Sequence, residues 1–189
     1  MNLTKGISQK NPEYLLEDEE ILAAQNNSKM FEAVYNRHYE SLVRFIYQRV
    51  NTKQEAFEIS SKIFCNALKK VKEFKFKELL FSNWLLRLAI KELNYLFKNN
   101  QLNRALNFDT QGLKEFAASI NIKQQSDNLL QISAAITQLS LHEIMLIEMH
   151  CFEKRPMLEI AEILELSEQQ VKLQIADSIS KVTQFIHSK

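Results

Sequence analysis

Phe81-Ser82-Asn83-Trp84-Leu85-Leu86-Arg87-Leu88-Ala89-Ile90-Lys91-Glu92-Leu93-Asn94-Tyr95-Leu96-Phe97-Lys98 is the stretch whose reading decides the fold class. Trp84, Leu85, Leu88, Ala89 and Leu93 recur at three- and four-residue steps, the period of a helix with one buried stripe. The spacing predicts a helix over about Ser82 to Phe97. Arg87, Lys91, Asn94 and Lys98 are separated by four, three and four residues, so they share one polar face. Around this helix nothing supplies a sheet. The 189 residues include two glycines, Gly6 and Gly112, and two prolines, Pro12 and Pro156. Hairpins need turn residues that reach positive φ, and glycine is their usual source. An all-α fold of helices joined by short polar turns is therefore expected. A glycine-rich phosphate loop is excluded, because no two glycines lie near each other.

Outward toward the N-terminus, the chain begins as a loose arm over residues 1–12. A helix reads from Pro12 through Leu15, Leu16, Ile21 and Leu22, with Glu17-Asp18-Glu19-Glu20 in its early turns. After the break at Asn26-Asn27-Ser28, Ser28 is expected to cap a long helix whose apolar stripe includes Phe31, Val34, Leu42, Phe45 and Val50. Thr52, with Glu55 three residues on, forms a capping box for the next helix, which buries Ala56, Ile59, Ile63, Phe64, Ala67, Leu68 and Val71. The stretch Lys72-Glu73-Phe74-Lys75-Phe76-Lys77-Glu78 alternates aromatic and charged residues. It reads as a loop, because no partner strand exists.

Toward the C-terminus, residues 100–127 are polar and aperiodic, and they read as a linker holding one short helix over Leu113 to Ile122. Residues 128–189 form a second helical unit. Ser140 caps one helix there with Glu143 at its third position, and Pro156 opens a short one. Ser167, with Gln170 as its partner, caps a longer helix carrying Val171, Ile175, Ile179, Val182 and Ile186. A short helix, a tight turn and a longer capped helix have helix-turn-helix spacing. The organisation is thus an arm, a helical domain over 13–99, a linker, and a helix-turn-helix domain over 128–189.

Net charge is only +1, but it is unevenly distributed. Between Glu58 and Asn100 nine basic residues face four acidic ones, a net of +5. From Asn128 onward five basic residues face eight acidic ones, a net of −3. The middle of the chain suits phosphate neutralisation and the C-terminal part does not. Cys65 and Cys151 lack ligand spacing and sit in apolar helical surroundings, so both are expected as buried thiols in a reducing compartment. No apolar run approaches the roughly 20 residues that span a bilayer. The N-terminus has no apolar signal core. A cytoplasmic protein is expected.

Four segments, in order, resemble one family. Glu19-Glu20-Ile21-Leu22-Ala23-Ala24, with Phe31-Glu32-Ala33-Val34-Tyr35-Asn36-Arg37-His38-Tyr39, resembles the opening of sigma region two. Glu55-Ala56-Phe57-Glu58-Ile59-Ser60-Ser61-Lys62-Ile63-Phe64 falls at the core-polymerase-binding helix, and Phe81 to Lys98 is similar to the promoter-melting helix. Leu158-Glu159-Ile160-Ala161-Glu162-Ile163-Leu164, with Leu166-Ser167 and Val171-Lys172, resembles region four. The family is the sigma-70 family of RNA polymerase sigma factors, in its small extracytoplasmic-function branch. The resemblance implies a factor that binds RNA polymerase core through Glu58, Ser61, Lys62 and Phe64. It implies that region two opens promoter DNA, and here Lys72, Phe74, Lys75, Phe76, Lys77, Trp84, Arg87, Lys91, Asn94 and Lys98 are the candidates. Ser167, Gln169, Gln170, Lys172 and Gln174 would read DNA in region four. An anti-sigma factor is implied as a further partner, and a monomer as the free state.

Residue chemistry agrees most at region two, since opened strands need cations along phosphates and aromatics on which an unstacked base can rest. A solvated face with ordinary core aromatics produces the same pattern, and Trp84, four residues before Leu88, suits core packing. The sequence departs from the family where Glu58 and Ser61 replace its usual aspartate and glutamine. Its arginine-rich recognition helix is here Gln169-Gln170-Val171-Lys172-Leu173-Gln174-Ile175-Ala176-Asp177. Glutamine can read adenine edges, whereas Asp177 repels phosphate. A sigma-like regulator that binds polymerase or an antagonist without reading DNA is the alternative. His38, His142, His150 and His187 are scattered and no catalytic or metal motif occurs, so no enzyme, metal or cofactor is expected.

Overall fold

Asn27 is left extended (φ −143°, ψ 112°) between the first two helices, and its side chain accepts a hydrogen bond from the Lys29 amide at 3.1 Å. It caps a 3-10 turn at Ser28–Met30, one residue earlier than the sequence places the cap. The computed structural model describes residues 12–76, 79–99 and 101–188, with side chains from Leu16 onward. The arm over residues 1–11 and Lys77 lie outside the described residues.

Helices α1 (Pro12–Asn26), α2 (Phe31–Tyr47), α3 (Lys53–Lys70) and α4 (Phe81–Lys98) form the N-terminal bundle. Thr52 and Glu55 make the reciprocal box that starts α3: Oγ1 accepts from the Glu55 amide at 3.1 Å, and the Glu55 carboxylate accepts from the Thr52 amide at 2.9 Å. Each satisfies an amide that the first helical turn leaves without a partner. Between α3 and α4 the chain makes a 3-10 turn at Val71–Glu73 and then runs as loop. Gln25 pins that loop by donating to the Val71 and Phe74 carbonyls at 2.9 and 3.0 Å. No strand occurs among the described residues.

The C-terminal half contains α5 (Thr110–Ser119), α6 (Ser126–Thr137), α7 (Leu141–Ile147), α8 (Met157–Leu164) and α9 (Glu168–His187). A π-helical turn, Glu148–Phe152, extends α7. The α8–α9 turn reverses through Glu165, whose backbone is left-handed (φ 59°) and lets the Leu166 amide reach back to the Ala161 carbonyl at 3.0 Å. Glycine normally takes that position, so a glutamate there costs about 1 kcal/mol. Ser167 then caps α9 with Gln170 as partner.

Residues 101–109 are no loose tether. Their backbone is strapped to the end of α2: the Ala105 amide donates to the Arg49 carbonyl at 3.2 Å and the Asn107 amide to the Gln48 carbonyl at 3.3 Å. Asn107 also donates from its side chain to the Tyr47 and Val50 carbonyls, each at 2.9 Å. One apolar core runs across both halves. Leu85, Leu86, Ala89, Ile90 and Leu93 of α4 share it with Met145, Leu146, Met149, Ile160, Ala161 and Ile163. A second core collects Phe116, Ile132, Ile136, Ile147 and Val182. Each fully buried side chain of this size contributes about 1.5–3 kcal/mol, so the contact between the halves is part of the folded core.

The α7–α9 contact makes the C-terminal half acid-sensitive. Lys181 Nζ lies 2.6 Å from Glu143, which also closes the Ser140 capping box. The hydrogen bond from Lys181, then that from Ser140, pull the Glu143 carboxyl down to about 2. A carboxyl depressed in the folded state stabilises fully above its unfolded value, near 4.5, and loses that contribution as pH falls through about 2. Since the lysine is exposed, solvent screening keeps that contribution small. Glu143→Gln keeps the cap and should flatten the fall in melting temperature between those two pH values, as followed by circular dichroism.

Candidate nucleic-acid interface

The cationic face of α4 exists as the periodicity predicts, and the C-terminal half covers its first two turns. Arg87 Nε donates to the Glu162 carbonyl at 2.6 Å, and its Nη1 donates to the Glu165 carboxylate at 3.3 Å. Lys91 Nζ stands 3.2 Å from the other Glu165 oxygen. Asn83, buried, donates from Nδ2 to the Glu162 carboxylate at 2.7 Å. Further along, Asn94 is half-buried and Lys98 exposed. Helix α4 thus presents an open cationic end and an occupied one.

Beside it, Lys72 and Lys75 are exposed on the loop, and Phe76 is half-buried. Phe74 departs from the expectation of a base-stacking ring. It is 6% exposed, edge-on to Phe76 and Phe81 at centroid distances of 5.2 and 5.1 Å, and tilted against Trp84 at 5.6 Å. Both faces of a ring so enclosed are taken by protein. Trp84 is half-buried and also packs on Phe81 at 5.1 Å, in keeping with its place four residues before Leu88.

On α3, Glu58, Ser61 and Lys62 are exposed. Glu58 accepts from Gln54 at 2.7 Å, Ser61 donates back to the Phe57 carbonyl at 2.8 Å, and Lys62 is tied to Glu92 of α4 at 2.5 Å. The hydrogen bond from Lys62 to Glu92 raises the lysine pKa, with their charge attraction adding to it. Phe64, expected both in the buried stripe of α3 and on the polymerase-binding surface, is buried, whereas Leu68, expected in the same stripe, is exposed. Phe64 is 3% exposed, packed against Tyr35 at 4.6 Å and Phe31 at 6.5 Å, so it shapes the surface from beneath. The residues that form the open surface there are others. Phe57 and Leu68 are exposed large apolar side chains, and Leu68 borders a groove with Phe31, Tyr35, Ser61 and Cys65. Positions 57, 61, 65 and 68 share a helical face, of which the sequence reading puts Leu68 in the buried stripe and Ser61 among the polymerase-binding candidates. Cys65, expected as buried, is exposed; Cys151 is half-buried, and burial pushes its thiol up to about 11.

On α9, Gln169 and Lys172 are exposed. Ser167 and Gln170 are engaged with each other: Ser167 Oγ accepts from the Gln170 amide, and Gln170 Oε1 accepts from the Ser167 amide at 2.8 Å. Gln174 Oε1 lies 2.7 Å from His142 Nε2. Three of the five candidate reading side chains are therefore occupied by contacts within their own module. Asp177 pairs with Lys181 at 2.7 Å.

The largest charged cluster, missed by sequence reading, sits where the two halves meet. Arg49 is fully buried. It donates to Glu153 at 2.5 Å and to the Phe45 carbonyl at 2.7 Å, its Nε lies 3.0 Å from Glu148, and its guanidinium rests 3.7 Å above the Phe45 ring. Arg104, from the strap, donates to Glu148 at 2.8 Å, and Arg155 to Glu153 at 2.5 Å and to Glu159. Burial raises the Glu153 pKa, and the charges and hydrogen bonds of Arg49 and Arg155 outweigh it, so the carboxyl stays below its usual range. At Arg104 burial wins over Glu148 and lowers the pKa. Among the described residues no group of three or more His, Cys, Asp or Glu side chains is placed to hold a metal, and no helix is long and apolar enough to cross a membrane.

No protein-family model matches the sequence, and a search of curated proteins found no relative. By fold, the chain is similar to CnrH in its complex with the cytosolic domain of CnrY. The TM-score is 0.59 and the identity 15%, over 90% of this chain and 96% of that one. The fold is sigma-like. The RsbN–BldN complex matches at a TM-score of 0.37 and 16% identity, over 87% of this chain and 97% of that one. What this chain and CnrH share is the fold, all-helical here among the described residues.

Proposed function

We propose that this chain is a transcription initiation factor that binds RNA polymerase core through the exposed face of α3 and opens promoter DNA along α4. The observation that carries the proposal is the cationic row on α4, beside the exposed Lys72 and Lys75, within a sigma-like fold. Single strands are held by cations that follow the phosphates together with aromatic surface for bases. Lys72, Lys75, Lys91 and Lys98 supply the first, and the half-buried Phe76 and Trp84 supply what aromatic surface is open.

Region four contributes less to DNA reading than region two, because Ser167, Gln170 and Gln174 are already bonded. Those same contacts favour a second reading, in which the C-terminal half binds protein and the chain regulates polymerase without reading a promoter. A small protein antagonist, docked as the cytosolic domain of CnrY is on CnrH, fits either reading.

The test is Lys91→Glu with Lys98→Glu. The double variant should retain association with core polymerase and lose promoter opening by at least about tenfold, read as permanganate reactivity of unpaired thymines. Unchanged reactivity would remove α4 from the DNA path.

A further inference from the structure

We propose that the cleft between α5, the π turn and α9 is a binding site for a small organic anion, a carboxylate carried on an apolar body. The site stands on its own residues and does not depend on the initiation reading.

The cleft has a volume of about 400 Å³, within the range that small ligands occupy. Ile120, just after α5, and Ile179 of α9 give it apolar walls, and His150, Cys151, Lys154 and Arg155 line it from the π turn and the residues that follow. No carboxylate lines it among the described residues. His150 Nδ1 is buried and has no hydrogen-bond partner among those residues. A polar ring atom left so is costly, and a ligand oxygen accepting its N–H removes the cost. Lys154 takes a left-handed backbone position (φ 57°) that glycine would hold without strain. Strain of that kind gathers where a side chain is needed for function. The ammonium meets Glu115 at 3.4 Å, with both side chains about half exposed. Such a pair is weak in water, so a carboxylate held by the cleft replaces Glu115. Arg155 is already bonded to Glu153 and Glu159, which leaves Lys154 as the cation for the ligand. The Cys151 thiol, pushed up to about 11 by burial against the pull of Lys154, stays neutral and adds no opposing charge. His150 and Cys151 both belong to the π turn, an irregularity frequent at functional sites. The isoleucine walls are what call for an apolar body, since an inorganic anion would leave them wet.

Methyl NMR of the full chain with labelled isoleucines tests the site, using benzoate, hexanoate and indole-3-acetate as probes. At least one should shift the Ile120 and Ile179 signals together and saturably. The primary amide of the same acid, which keeps the body and lacks the charge, should bind about tenfold more weakly. Lys154→Gly removes the ammonium and relaxes the backbone. It should weaken binding of the acid about fivefold, while the melting temperature stays at or above that of the wild type. Lys69→Gln, at an exposed position of α3 away from the cleft, should bind as the wild type does. The absence of a joint, saturable shift with all three acids overturns the site. Equal affinity for an acid and its amide, or wild-type affinity in Lys154→Gly, overturns its selectivity for an anion.

Discussion

Arg49→Met should be the most damaging single substitution in the chain, lowering stability by about 3–5 kcal/mol, or roughly 10 °C in melting temperature. Arg49 is fully buried and satisfies Glu148, Glu153 and the Phe45 carbonyl at once. Three arginines face three glutamates in the cluster, so removing one leaves an unbalanced negative charge away from water. Arg104 and Arg155 keep part of the compensation, which places the loss inside that range and not above it. The substitution also cuts the tie between α2 and the π turn, so proteolysis within the strap at residues 101–109 should accelerate in the variant. A surface arginine such as Arg44, paired only with the exposed Glu40, sets the scale: its alanine variant should move stability by less than about 0.5 kcal/mol. Calorimetry of the two variants side by side checks the contrast. Equal melting temperatures would mean that the buried cluster does not hold the halves together.

Phe57→Glu with Leu68→Glu should reduce affinity for core polymerase by more than tenfold while leaving the fold intact. Both side chains are exposed in the free chain, 42% and 37% respectively, so little packing is lost. In a complex the same positions become interior, and a carboxylate buried there without a partner costs several kcal/mol. The effect separates two uses of α3, because Phe64, already enclosed by Tyr35 and Phe31, would lower stability if truncated and would reveal nothing about partners. Cys65, exposed between Ser61 and Leu68 on the same groove, provides an independent readout. Its alkylation should slow when polymerase is added, whereas Cys151, with a thiol pushed up to about 11, reacts slowly throughout. Wild-type affinity in the double variant would move the polymerase surface away from α3.

Much of the fold was legible because its signals are local. The boxes Thr52–Glu55, Ser140–Glu143 and Ser167–Gln170 each lie within four residues, and all three form. The α4 face is equally local, a matter of counting by threes and fours. What escaped depends on distant partners. Arg49 is 104 residues from Glu153, and at the end of a helix it reads as an ordinary C-terminal cation. The strap is polar and aperiodic, which marks an irregular path without saying whether its backbone is bonded. Phe74 alternates with lysines as a solvent-facing residue would, yet the turn at Val71–Glu73 rotates it inward onto Phe81. The opposite charges of the two halves were read only for phosphate binding, and their contact shows only once α8 is known to lie on α4. Glycine's absence at Glu165 was likewise visible, though not that a carboxylate there spans two cations.

Promoter opening by reconstituted polymerase is the most direct test of the central claim. Core enzyme, genomic promoter fragments and this chain should together produce permanganate-reactive thymines in a short segment upstream of the start site, and core enzyme alone should produce none. Binding of the chain to core without any such reactivity, across fragments that a known initiation factor opens under the same conditions, would contradict it.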